Sequence, residues 1–205
     1  LKKKQQELTA LFRKRLLPVL RREFEYEGRV DSVAGPDAES PAVRTVMLSF
    51  WKPGIKFSRI EIPVEITRVL CADPSEVRTV GGIIYPTLSD ADLIESKILA
   101  VFNRTIMVHR DLVDIFMFAD KLASDSRLRL KHKLKRLSIT RKDIMDRLAD
   151  LQEHAAYHAK AIQAVIDSQL DREAAENIRN AGGSKMVLKR VLDVISTNIN
   201  PSGRT

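Results

Sequence analysis

The chain reads as an α+β protein, with one helix, then a small sheet, then an all-helical half. Three observations predict this. Over 5–24, Leu8, Leu11, Phe12, Leu16, Val19 and Leu20 recur at the three- and four-residue steps of one helix face. Over 59–67 the period falls to two, with Ile60, Ile62, Val64 and Ile66 alternating against Arg59, Glu61 and Glu65. From Ser89 onward the helical period returns and persists.

The elements follow in order. Pro18 kinks or divides the first helix. A short strand is expected over 25–33. A loop is expected over 34–42, where Gly35, Pro36 and Pro41 punctuate the chain. Residues 43–50 are rich in β-branched and apolar side chains and read as a strand, closed by the turn signal Trp51-Lys52-Pro53-Gly54. The strand over 59–67 has one apolar face to bury and one face of carboxylates. Pro63 on its polar face marks an edge position or a bulge. A further short strand over 80–85 is bent at Gly81-Gly82.

In the helical half, Ser89 and Asp92 form a capping signal for a helix over 90–103, and a second helix covers 108–123. Residues 127–136 carry Arg127, Arg129, Lys131, His132, Lys133, Lys135 and Arg136, and read as a solvated basic face, the best candidate for docking an RNA backbone. Thr140 with Asp143 caps one long helix reaching Leu170. Residues 171–180 are helical, Gly182-Gly183 break the run, and a last helix covers 185–197, followed by a disordered tail after Asn198.

The chain has 205 residues, of which 44% are hydrophobic and 30% charged, a soluble globular balance. No apolar run reaches the ~18–20 residues of a membrane helix, and no apolar core follows the basic N-terminus to make a secretory signal. The single cysteine, Cys71, forms neither an internal disulfide nor a metal cluster and reads as a small buried or half-buried residue in a reducing cytoplasm. The net charge of +8 suits nucleic acid, nucleotide phosphates or an acidic partner. The chain opens on Leu1-Lys2-Lys3-Lys4, already inside a helical pattern, so an upstream segment is expected to be absent.

The segment 95–114 carries the chemistry. Lys97 and Arg104 lie two turns apart on one helix face. Arg110 pairs with Asp114 at i, i+4, and Asp111 with Asp114 at i, i+3. A short link makes the two helices a hairpin, which would gather Lys97, Arg104, Arg110, Asp111 and Asp114. Cations beside carboxylates suit phosphate binding next to a metal; the plainer reading is a set of surface ion pairs of small value. His154 and His158 have a zinc-ligand spacing, but no glutamate follows His154 in the H-E-x-x-H manner and no third ligand stands out. No phosphate-binding glycine loop or nucleophile elbow occurs.

Glu95, Lys97, Ala100-Val101 and Arg104, followed by Arg110-Asp111-Leu112-Val113-Asp114, resemble the nucleotidyltransferase-like AbiEii/AbiGii toxin family. That family shows Glu and Lys ahead of Ala-Leu, an Arg, and a closing Arg-Asp-Leu-Tyr-Asp; here Val113 replaces the aromatic. The strand Arg59-Ile60-Glu61-Ile62 resembles the family's Lys-Ile-Glu-Ile strand. The resemblance covers roughly residues 1–125. It implies a small mixed sheet flanked by helices, with 1–88 a partial nucleotidyltransferase-like α/β core and 89–200 a helical region completing the cleft. It also implies magnesium or manganese and an NTP substrate. Glu61 would be a metal ligand or base, with Glu65 in reserve. Lys97, Arg104, Arg110 and Asp111 would hold the nucleotide, and Asp114 would be a catalytic acid or base.

The family's first motif, a Gly-Gly or Gly-Ser turn followed by Asp-x-Asp, is not found ahead of Glu61; Gly35-Pro36-Asp37 lacks the second carboxylate. Truncation accounts for this more simply than degeneration. The function implied is a toxin-type transfer of a nucleotide to RNA, tRNA included, or to a protein, in a toxin–antitoxin or phage-defence system with a cognate antitoxin. The rival is a non-catalytic basic helical module that binds nucleic acid through 127–136 and Lys2–Lys4. A weaker third reading is an enzyme that modifies a small molecule.

Overall fold

The computed structural model describes residues 1–33 and 43–199. The loop expected over 34–42 and the tail beyond Ile199 lie outside the described residues. The chain forms two compact units, Leu1–Val69 and Leu70–Thr205. The division therefore falls earlier than residue 88, and the second unit begins with a β-hairpin. No described helix is long and apolar enough to cross a membrane.

In the first unit, α1 (Lys2–Leu11), a π-helical turn (Phe12–Leu16) and α2 (Leu17–Phe24) run on from one another. Pro18 has no N–H to donate and its ring crowds the preceding turn, and the wider π turn just ahead of it relieves the conflict. Glu25, at φ 56°, ends α2 in the left-handed region, and the Tyr26 N–H donates to the Leu20 carbonyl at 3.1 Å.

Strands β1 (Glu27–Val33), β2 (Val43–Trp51) and β3 (Ile60–Thr67) follow in the order β1-β2-β3. Both pairings are antiparallel, with Val30 opposite Leu48 and Val46 opposite Val64. The mixed sheet expected from the resemblance is thus replaced by a meander, because the links between successive strands are too short for a parallel crossover.

Helix and sheet meet over buried Val30, Val46 and Leu48, covered by Leu8, Phe12 and Leu16. Polar side chains tie the helical stretch to the sheet. Gln5 Nε2 donates to the Val33 and Thr45 carbonyls at 3.1 and 2.7 Å, and Arg13 donates twice to the Val30 carbonyl. Pro63 sits on β3, an edge strand, opposite Met47. The apolar face of β3 is only half used. Val64 and Ile66 pack on the core, but Ile60 and Ile62 are exposed, since the helices cover β1 and β2 rather than the start of β3.

The second unit opens with the hairpin β4 (Glu76–Val80) and β5 (Ile83–Thr87). The bent strand expected over 80–85 is the tip of this hairpin. Gly81 and Gly82 have φ 56° and 79°, the pair of positive values a tight two-residue turn requires. Cys71, expected to be buried or half-buried, is exposed in the loop ahead of β4.

Helices α3 (Asp90–Asn103), α4 (His109–Phe118), α5 (Ser126–Arg136), α6 (Arg141–Glu153), α7 (Ala155–Gln169), α8 (Arg172–Asn180) and α9 (Gly183–Ile199) complete the unit. The reciprocal capping box of Thr140 and Asp143 is present. The long helix expected from there to Leu170 is two helices, parted at His154 where the backbone leaves helical geometry. Helix α3 packs on α4 and α5, and α7 packs on α4 and α9. Ile98, Leu112, Ile115, Leu130, Ile162 and Ile195 form the fully buried centre.

Candidate functional site

The α3–α4 hairpin gathers the five residues that sequence spacing brought forward. Lys97 faces outward from α3, Arg104 caps its C-terminus, and Arg110, Asp111 and Asp114 lie on α4. Lys97 Nζ bridges two carboxylates, 3.0 Å from Asp111 Oδ1 and 2.9 Å from Asp114 Oδ2. Arg104 reaches Asp111 at 2.8 Å and Arg110 reaches Asp114 at 2.9 Å. Asp111 stands in the first turn of α4, where the helix dipole favours a negative charge. Burial opposes the Lys97 charge, but Asp114 and Asp111 outweigh it and hold the ammonium above the ordinary lysine value.

The carboxylates are the buried partners and the cations the exposed ones. The Asp111 side chain is 4% exposed and that of Asp114 13%, against 35% for Lys97, 46% for Arg104 and 37% for Arg110. Three cations share two carboxylates, which leaves the cluster one positive charge in excess, and Arg104 also lines a cleft with Asp143, Asp146, Arg147 and Asp150. Arg104 spends one guanidinium nitrogen on Asp111. Arg110 also gives one to the Gln169 carbonyl at 3.1 Å. Their remaining N–H donors are available to a phosphate.

Glu61 belongs to the first unit, whereas the hairpin belongs to the second. Glu61 lies on β3, half exposed, with its carboxylate 2.7 Å from the Arg59 guanidinium. Glu65 is on the same strand, opposite Thr45. Among the described residues no three His, Cys, Asp or Glu side chains gather as a metal would require. Both carboxylates of the hairpin are engaged by cations, so these residues do not fit a magnesium or manganese ion.

Beneath the hairpin lies an ionic network that sequence spacing missed. Asp92 and Glu95, on α3, are wholly buried. The Lys133 ammonium contacts Asp92 and lies 2.6 Å from Glu95 Oε2. Arg129 binds Asp73, Asp92 and Glu95, each at 2.9 Å. The Ser126 hydroxyl donates to Glu95 at 2.7 Å, and the backbone N–H groups of Ala72 and Asp73 donate to Asp92.

Burial works against the Asp92 charge, yet Lys133 and those two N–H groups prevail and hold its pKa at about 2. The hydroxyl of Ser89, with Arg129, also lowers Asp73. The basic stretch over 127–136 is therefore not a uniform solvated face. Arg129 and Lys133 turn inward, while Arg127, Lys131, His132, Lys135 and Arg136 remain exposed. A signal was present, since Lys133 falls on the same α5 stripe as buried Ser126, Leu130 and Leu134.

The histidines form a third group. His158 Nδ1 lies 3.0 Å from His109 Nε2, and His158 Nε2 lies 3.3 Å from Asp150 Oδ2. His154 is exposed and contacts the other Asp150 oxygen at 3.1 Å. The pair at i, i+4 therefore flanks one carboxylate, His154 at one oxygen and His158 at the other. Burial, together with the neighbouring His158, lowers the His109 pKa, and Asp150 opposes this.

Comparison with protein-family models, with curated proteins and with solved structures finds no match to this chain.

Proposed function

We propose that the chain is a nucleotide-handling protein of the nucleotidyltransferase-like toxin type, and that the α3–α4 hairpin holds the phosphates of an NTP. The supporting observation is the convergence of Lys97, Arg104, Arg110, Asp111 and Asp114 into one cluster with its carboxylates inward and its cations outward. In nucleotidyl transfer an acceptor hydroxyl attacks the α-phosphorus and pyrophosphate leaves. Charge builds on the leaving oxygens, and fixed cations aimed at them lower the barrier. Asp111 and Asp114 have the role of positioning residues, holding Lys97 and both arginines in place. The acceptor proposed is RNA, tRNA included, with a cognate antitoxin as partner. The divalent metal implied by the resemblance has no donor set among the described residues, and phosphate binding carries this reading.

One observation favours the rival, a basic module that binds nucleic acid without catalysis: each carboxylate in the cluster is already paired with a cation. The experiment that separates the two offers the full chain labelled NTPs with magnesium and total tRNA, with Lys97→Ala and Glu61→Gln alongside. Label in RNA or protein that Lys97→Ala abolishes supports the transferase. RNA binding that falls with salt, with no transfer of label, supports the module.

A further inference from the structure

The first unit contains a cleft of about 700 Å³, bounded by the end of the helical stretch, the start of β1 and the end of β2. Its lining includes three arginines, Arg13, Arg21 and Arg22, and two aromatic rings, Tyr26 and Trp51. Glu27 is the only carboxylate in that lining. The volume suits one small ligand, the guanidinium groups suit a phosphate, and the rings suit a flat aromatic face.

The walls are fixed from several directions. Arg13 is anchored by Nε and one terminal nitrogen to the Val30 carbonyl at 3.1 and 2.6 Å, so its guanidinium is held in place before any ligand arrives. The left-handed Glu25 and the Tyr26 N–H to Leu20 bond set where Tyr26 leaves α2. Gly28 lets the sheet and helix approach; a Cβ there would come within 2.8 Å of Leu17 Cδ2 and 3.2 Å of the Ser49 carbonyl oxygen. Trp51 is held opposite Glu27 by the β1–β2 register.

Arg21 and Arg22 end α2, where a cation also offsets the helix dipole. The Leu20 carbonyl, however, is already satisfied by Tyr26. Arg22 pairs only with its exposed neighbour Glu23, and Arg21 has no hydrogen-bond or ion-pair partner among the described residues.

The geometry points to a nucleotide-binding cleft in this unit: a nucleoside monophosphate, free or within a single strand, with its base against Tyr26 and Trp51 and its phosphate on Arg13, Arg21 and Arg22. This site is independent of the α3–α4 hairpin and does not rest on the transferase reading.

Trp51 is the only tryptophan in the chain, so intrinsic tryptophan emission reports on this cleft alone. The full chain is titrated at low salt with AMP, with a single-stranded oligoadenylate RNA, and with inorganic phosphate. Saturable quenching by AMP or by the oligonucleotide, absent with phosphate, is expected. A response to both identifies the nucleotide unit as the ligand, and a response to the oligonucleotide alone places it within a strand. Arg21→Ala, at an exposed position, should weaken the response about tenfold with the helical circular dichroism unchanged, and Lys97→Ala should leave it intact. Emission unmoved by AMP and by RNA, or quenching that Arg21→Ala does not weaken, overturns the assignment.

Discussion

The Lys133 ammonium lies 2.6 Å from the Glu95 carboxylate, with both side chains shut away from water. Removing Lys133 leaves two buried carboxylates, Asp92 and Glu95, with Arg129 as their remaining cation. Lys133→Met is therefore expected to cost about 3–5 kcal/mol of stability, read as a fall in the urea midpoint. Lys133→Met combined with Glu95→Leu should cost less than Lys133→Met alone, since fewer buried charges are then left uncompensated.

Neighbouring basic residues on α5 should part company. Arg129→Ala breaks contacts to Asp73, Asp92 and Glu95 and should destabilise the protein by about 2–4 kcal/mol without acting through RNA. Lys131→Ala, at an exposed position, should stay within about 0.5 kcal/mol of the parent. Thermal denaturation of the two variants checks both values.

Acid should loosen the α3–α5 contact in a defined window. The Asp92 pKa is depressed in the folded state, from 3.8 to about 2. Its contribution, about 2 kcal/mol, is complete above 3.8 and is lost as pH falls from there toward 2. The urea midpoint measured between pH 5 and 2 should fall in that interval, and Asp92→Asn should remove much of the slope along with the stability.

His109 acts at higher pH with the same sign. Its folded pKa lies below the ordinary 6.5, so folding favours the neutral ring. Stability from this source is complete above 6.5 and declines as pH falls through that value. His109→Gln should lower the melting temperature at pH 8, where the neutral contact with His158 is lost, and flatten its pH dependence just below 6.5.

The charged cluster at 97–114 was legible because helical spacing alone places Lys97 and Arg104 on one face and Arg110 above Asp114, and the short link to α4 completes the arrangement. The α+β order was legible from the change of hydrophobic period. Spacing does not say which charged residues on an amphipathic helix point inward. Asp92, Glu95 and Arg129 were hidden because charged side chains are ordinarily solvated, and only a partner on another helix makes burial tolerable; the stripe position of Lys133 was overridden by the same expectation. The break at His154 was hidden as well, since no Gly or Pro marks it. The hairpin turn at Gly81-Gly82 was read as a bend because 80–85 resembles one apolar run.

The most direct measurement is equilibrium binding of labelled NTPs with Arg21→Ala as the parent, which weakens the cleft at Tyr26 and Trp51, and with Arg104→Ala and, as a surface-charge control, Lys131→Ala added to it in turn. The account predicts saturable, salt-sensitive binding that weakens about tenfold or more in Arg104→Ala, while the urea midpoint stays close to that of the parent and Lys131→Ala behaves like the parent. Equal affinity in all three proteins, or no saturable binding at low salt, would contradict the assignment of the α3–α4 hairpin as a phosphate site.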